Sequence, residues 1–338
     1  MISKKINTGL IAAYIVLLSS CNTSTQPSLP NVSGSAGEVV VVMGKANWNG
    51  AIGEALKDIY LREYSILPQP EPSFDLIHIP PDAFNNIFRQ NRNIIMLNIE
   101  SSIAAPEIKI QNNVWAKPQT VIRLNSPTTE GLVEQLNEKS DMLYNLLENA
   151  ERKRILQAFE KNLNPVARQQ VIENHHIALP VPYNFTLDVD TTNFAWLSNE
   201  TPEISQGILI YHYPYTDTAT FTRNFLINKR NQFLQKYVPG PVEGSYMTTE
   251  LDYHISFEEF SLRNEKYIVV MRGLWKVQNA FMGGPFISIT TLDENRNRVV
   301  TMEGYVYAPR KDKRNLLRQL EAILLNFSIT KKGTESNE

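Results

Sequence analysis

The 338-residue chain is 42% apolar and 20% charged with a formal charge of −2, a balance that excludes wholesale disorder and leaves no basic excess for a nucleic acid. Residues 21–338 exceed the roughly 250–300 residues at which one core stops growing, so two packed units are expected. Cys21 is the only cysteine, which excludes a disulfide framework or thiolate metal site within the chain.

Lys4 and Lys5 precede an apolar run from Leu10 to Leu18 and then Leu18-Ser19-Ser20-Cys21. A basic n-region, a short h-region and small residues before a cut mark a secretory signal over residues 1–20. A cysteine directly after them makes it a lipoprotein signal, with lipid (palmitate among its acyl chains) on Cys21 as the attachment to a membrane. About nine apolar residues fall short of the roughly 20 needed to span a bilayer. Residues 21–37, rich in Ser, Thr, Pro and Gly, read as a flexible tether that could hold the body up to about 50 Å from the lipid.

Glu38-Val-Val-Val-Val-Met43 has no alternation and predicts a strand buried on both faces. Ile52, Ala55, Leu56, Ile59 and Tyr60 fall on one helical face, and Pro68, Pro70 and Pro72 stop that helix. Strands are expected at 74–79 and 93–99 around a short helix at 82–90, with shorter ones at 107–111 and 119–124. Ser126-Pro127 reads as a helix start, and Leu132, Leu136, Leu143, Leu146 and Ala150 carry one long helix to about Leu163. Asn164-Pro165 restarts a second helix to about Asn174, which completes a helical arm.

Pro180 and Pro182 suggest the boundary between the units. Strands are predicted at 183–190 and 206–213, then a helix from Asp217 to about Tyr237. Further strands at about 249–262, 265–274, 285–292 and 298–307 are joined by turns such as Arg263-Asn264 and imply an antiparallel sheet. Leu316, Leu317, Leu320, Ile323, Leu324 and Phe327 form a final amphipathic helix, and 331–338 is a polar, disordered tail. The fold class is α+β: an N-terminal α/β unit with a helical arm (38–178) and a C-terminal unit (179–330), largely an antiparallel sheet with flanking helices. Both units read as strand, helix, strands, helix, although no residue-level repeat accompanies that order.

No glycine-rich dinucleotide loop, phosphate loop or zinc-protease pattern is present, and Ser245 lacks the second glycine of a hydrolase elbow. The five histidines, His78, His175, His176, His212 and His254, lack ligand spacing: His254 and Glu258 on one strand stand about 13 Å apart. No metal site, cofactor or catalytic residue is therefore expected. The densest unusual stretch is Arg272-Gly-Leu-Trp275 followed by Phe281-Met-Gly-Gly-Pro-Phe286. Structurally it reads as glycines in a tight turn with Trp275 and Phe286 in the core. Functionally it reads as a pocket wall built from Arg272, Trp275, Met282, Gly283, Gly284 and Phe286, with Tyr246 and Met247 opposite, for a sugar, peptide or lipid.

The Leu-Ser-Ser-Cys21 signal, Gly37-Glu-Val-Val-Val-Val, Pro68-Gln-Pro-Glu-Pro-Ser-Phe74, Arg92-Asn-Ile-Ile95, Trp115-Ala-Lys-Pro-Gln119, Pro239-Gly-Pro241, Gly244-Ser-Tyr-Met247, Arg272-Gly-Leu-Trp275, Met282-Gly-Gly-Pro-Phe286 and Tyr307-Ala-Pro-Arg-Lys311 together resemble the domain-of-unknown-function family numbered 4837, lipoproteins of Bacteroidota, over nearly all of the mature chain. The resemblance implies a location and little chemistry. It also makes Asp190-Thr-Thr192 and Asp217-Thr-Ala219 similar to the O-glycosylation sequence of that phylum, with Thr191 and Thr218 as acceptors. Asn22-Thr-Ser-Thr-Gln26 after Cys21 resembles outer-membrane lipoproteins that face the periplasm. The expectation is thus a non-enzymatic, lipid-anchored envelope protein that binds a protein partner or small ligand; the alternative is an envelope hydrolase acting on glycan or peptide near the Gly283-Gly284 turn.

Overall fold

The computed structural model describes residues 28–261 and 267–331. Cys21, the leader, the Arg263-Asn264 turn and the tail from residue 332 lie outside them. No helix among the described residues is long and apolar enough to cross a membrane.

Strands β1 (Glu38–Val42), β2 (Asp75–Ile79), β3 (Asn93–Ile99), β4 (Glu107–Asn112) and β5 (Thr120–Ser126) form one sheet in the order β2-β1-β3-β5-β4. Its first four members are parallel and β4 is an antiparallel edge. β1 is buried on both faces, as its unbroken valine run requires: Val39 and Val41 meet helices, while Val40 and Val42 pack with Ile94, Val121 and, at the edge of the cluster, Phe84, Phe88 and Trp115. The helical cover consists of α1 (Ala51–Tyr60), α2 (Thr129–Glu138) and α3 (Ser140–Glu160). The long arm expected from leucine spacing is broken at Lys139, whose φ of −102° and ψ of 15° separate α2 from α3. After the break Leu143 and Leu147 still join the core of Leu132 and Leu136, while α3 also buries Glu148, Glu151 and Arg154. Thr128, not Ser126, caps α2 by accepting from the Gly131 N–H at 3.3 Å.

The expected tether does not reach residue 37. Pro30 O accepts from Lys117 N at 2.8 Å, Ser33 N donates to Gln90 O at 2.8 Å, and Gly37 O accepts from Asp75 N at 2.9 Å. Its backbone polar groups are paired along the N-terminal ends of the strands, which fixes a segment whose composition alone predicted none.

The C-terminal body begins with α4 (Pro165–His175), which was assigned by sequence to the N-terminal unit. Ala167 and Val171 of α4 pack into the core of the second sheet, so this body starts near Asn164, whose side chain caps the helix at Ala167 N. A two-residue pair, β6 (Ile177–Ala178) with β15 (Ser328–Ile329), ties its ends together. The main sheet comprises β7 (Thr186–Thr191), β8 (Phe194–Glu200), β9 (Ser205–Pro214), β10 (Tyr246–Thr249), β11 (Ser256–Ser261), β12 (Tyr267–Gln278), β13 (Gly283–Asp293) and β14 (Arg298–Tyr307). Its order is β10-β12-β13-β14-β9-β8-β7, with β11 beside β10 on the same edge of β12. The sheet is antiparallel, as expected.

Both faces of this sheet are covered. α6 (Arg314–Leu324) sets Leu317, Leu320, Ile323 and Leu324 against Ile208, Ile287, Ile289, Val300 and Met302. On the other face α5 (Arg223–Tyr237) sets Leu226, Ile227 and Leu234 against Phe194, Leu209, Tyr211, Val269 and Met271. Asp217 caps a short 3-10 turn through Ala219 N, ahead of α5, rather than α5 itself.

The opposite side of α6 carries charge into the N-terminal body. Arg318, fully buried, forks onto Glu148 of α3 at 3.1 and 2.6 Å and donates to Ser73 O at 2.7 Å. Arg314 pairs with Asp75 at 2.7 Å, and the Glu71 carboxylate accepts from the Lys313 and Arg314 N–H groups. Glu321 pairs with Arg152 and Arg272. Burial would raise the Glu321 carboxyl, but the Arg272 and Arg152 guanidinia outweigh it and hold that carboxyl below its usual range.

Removing one partner of a buried pair leaves an unmatched charge, which costs about 3–5 kcal/mol. Arg318→Ala is therefore expected to lower the urea-unfolding free energy by that amount, and the double variant Arg318→Met, Glu148→Leu to recover most of it. At the far end of the sheet, burial, reinforced by Arg298 and His175, pushes His212 down to about 4. Above pH 6.5 this group has no effect on stability; between pH 6.5 and 4 the unfolded chain takes a proton that the folded one resists, so stability falls as pH drops. His212→Gln should flatten that part of a stability profile measured in urea.

Candidate ligand-binding cleft

One end of the C-terminal sheet opens into a cleft of about 690 Å³, within the 300–1,000 Å³ range of small-molecule sites. Four stretches of chain form it. The β8–β9 hairpin supplies Trp196, Glu200, Glu203 and Ser205; the link from α5 to β10 supplies Val238, Pro239, Pro241 and Met247; the β12–β13 hairpin supplies Trp275 and Met282; and the end of β14 supplies Tyr305, Tyr307 and Arg310. In the order of the sheet, β10 and β12 lie on one side of β14 and β8 and β9 on the other. The β10–β12 side is thus apolar, with Val238, Met247, Met282 and Trp275, while the β8–β9 side mixes Glu200, Thr201, Glu203 and Ser205 with Pro202, Ile204 and Trp196; Tyr305 and Tyr307 stand between them.

The aromatics brace each other. Trp275, 2% exposed, donates Nε1–H to Val306 O at 3.2 Å and meets Tyr305 edge-on at 5.6 Å between centroids. Tyr305, 3% exposed, accepts from Trp196 Nε1 at 3.1 Å. Tyr307 leans on Trp275 at 6.1 Å. Burial raises the Tyr305 pKa and keeps this hydroxyl neutral. The Tyr305 ring lies across β9 only because position 207 is glycine: a Cβ there would fall 2.0 Å from the ring.

Of the residues nominated from sequence, Met247, Trp275 and Met282 line this cleft. Tyr246, Arg272, Gly283, Gly284 and Phe286 do not. Arg272 is three residues before Trp275 on one strand, an odd spacing that puts the two on opposite faces, and its guanidinium reaches Glu321 between the domains. Phe286 is fully buried beneath Arg230, whose guanidinium lies 3.8 Å from its ring centre and forks onto Glu303 at 2.8 and 2.7 Å. The turn expected at Gly283-Gly284 falls instead at residues 279–282, where Asn279 has φ +66°. Gly283 and Gly284 begin β13 opposite Lys276 and Trp275. Gly284 is needed for close approach, since its Cβ would lie 2.0 Å from Val306 O.

Thr191 ends β7 and donates its hydroxyl to Phe194 O at 3.1 Å, whereas Thr218 is exposed at the first residue of a 3-10 turn. Among the described residues no three His, Cys, Asp or Glu side chains form a group able to hold a metal. Sequence reading missed Trp196, Glu200, Tyr305 and Arg310. Trp196 and Glu200 lie on β8, which pairs with β7 through the two-residue Thr192-Asn193 link, a link without the glycine that marks a two-residue hairpin in sequence.

Gly207→Ala should lower stability by about 1–3 kcal/mol, as overpacking does, and change tryptophan emission as Tyr305 releases Trp196. Gly44→Ala, at a position with nothing within 4 Å of the added carbon, should do neither; urea unfolding followed by fluorescence reads both.

Residues 164–326 match the family model described as domain of unknown function DUF4837, and residues 32–160 match a second, domain of unknown function DUF8532. The resemblance read along nearly the whole chain therefore divides: its segments from Gly37 to Gln119 fall under the second model, those from Pro239 to Lys311 under the first, and the Leu-Ser-Ser-Cys21 signal under neither. No curated protein matches the chain.

Proposed function

We propose that this chain, whose C-terminal domain is a DUF4837 domain, is a lipid-anchored cell-envelope protein, facing the periplasm from the outer membrane, that binds a ligand in the aromatic cleft. One observation carries the binding reading. Five segments on which the family resemblance rests, scattered from residue 239 to 310, supply Pro239 and Pro241, Met247, Trp275, Met282, and Tyr307 with Arg310 to the same cleft. Packing alone would not require such segments to meet at an opening. Lipidation rests on the Leu-Ser-Ser-Cys21 signal.

The hydrolase reading has less support. Its site was expected at Gly283 and Gly284, which are strand residues packed on backbone. The cleft carboxylates are both exposed: Glu200 accepts from Ser205 Oγ at 2.6 Å and Glu203 pairs with Lys311 at 3.0 Å. General acids and nucleophiles of glycan hydrolysis are instead set apart by contrasting environments.

Fractionation tests the anchor: the wild-type chain should pellet with membranes, and Cys21→Ser should appear in the soluble fraction. Thermal shift in fractionated envelope extract tests the cleft. A ligand that binds only the folded form raises its melting temperature, so some fraction should raise that of the wild type and leave Met282→Trp, which fills the cleft, unmoved. Equal shifts in both proteins would place the binding elsewhere.

A further inference from the structure

The chemistry of this cleft selects among ligand classes, and we propose that it takes a neutral oligosaccharide; this rests on the cleft being the binding site. The first argument is charge. The cleft is lined by two carboxylates, Glu200 and Glu203, and by Arg310, and Lys311 pairs with Glu203. Two negative groups stand against two positive ones. An anion such as a phosphate would meet the carboxylates, and a cationic peptide would meet Arg310 and Lys311, so neither sign of ligand gains from the rim.

The second argument is the form of the aromatic floor. Trp196 and Tyr307 are the half-buried rings, and each is held by a buried one: Trp196 by its hydrogen bond to Tyr305, Tyr307 by contact with Trp275. Both indole N–H groups are spent inside the protein. What the two indoles offer is rigid ring surface rather than donors. An extended peptide presents backbone carbonyls that need donors, which these indoles no longer supply. The C–H face of a pyranose, slightly positive, needs only the negative π face of a ring.

The third argument is the division of the walls. An acyl chain would suit Met247 and Met282 but would take the exposed Glu200 carboxylate out of water with only the Ser205 hydroxyl bonded to it, at a cost of at least about 1–3 kcal/mol for a charged group so under-satisfied. A sugar ring has an apolar face for one wall and hydroxyls for the other: Glu200 and Ser205, whose own proton goes to Glu200, accept, and Arg310 donates. A rigid floor fixed before binding also limits the entropy lost on association.

The test uses full-length protein in detergent, a broad array of neutral oligosaccharides that includes maltotriose, cellotriose and tri-N-acetylchitotriose, and as controls an uncharged proline-rich decapeptide and a dodecyl glyceride. The expected result is saturable binding of at least one oligosaccharide with a change in tryptophan emission. Its affinity should vary less than twofold between 0.05 and 0.5 M salt, because no net charge is paired. Trp196→Ala should weaken it at least tenfold, while Trp196→Phe, which keeps a ring face and the fold, should stay within about threefold. Binding of the peptide or the glyceride alone, abolished by Met282→Trp, would overturn the sugar assignment and keep the cleft. Oligosaccharide binding that survives both Trp196→Ala and Met282→Trp would overturn the cleft itself, as would the binding of no probe of any class.

Discussion

A guanidinium buried between two domains has to be matched before either domain can close around it, and here Arg318 is that group. It projects from a helix whose apolar side belongs to the C-terminal sheet, and it meets Glu148 and Ser73 O, which belong to the N-terminal body. Tyr64 and Phe74 place their rings about 5 Å from the same guanidinium. With Arg314 on Asp75 and Glu321 on Arg152 and Arg272, α6 serves as a wall for both domains. Buried ion pairs of this kind add little net stability against apolar replacements of the same shape. Their effect is geometric: only one docking of the domains satisfies every charge.

The same helix explains where sequence reading stopped. The amphipathic pattern of α6 is plain in Leu317, Leu320, Ile323 and Leu324, and the parallel core strand β1 is plain in its valines, because apolar periodicity reports burial against something apolar. It does not report burial against charge. Glu148, Glu151 and Arg154 are buried on α3 against charge, and the leucine spacing runs across Lys139 without marking the break there.

At the cleft the legible part was the β12–β13 segment, where Trp275 and Met282 stood out by composition. The illegible part was the far wall. β8 went unread because Thr192-Asn193 lacks the glycine that advertises a hairpin, and with β8 went Trp196 and Glu200. Arg272 was misplaced for a simpler reason: side chains on a strand alternate between faces, and nearness in sequence to Trp275 said nothing about which face it would take. Phe286 does share the face of Trp275 but lies beneath Arg230 in the core.

The strapping of residues 30–37 along the N-terminal ends of the first sheet also sets a distance. Were Cys21 held by lipid, the nine residues from it to Pro30, the first among the described residues with a paired backbone group, could span at most about 30 Å. That is comparable to the thickness of a bilayer's hydrocarbon core, about 30 Å. Such a protein would patrol a shallow layer against its own membrane, and whatever enters its cleft would have to be present there.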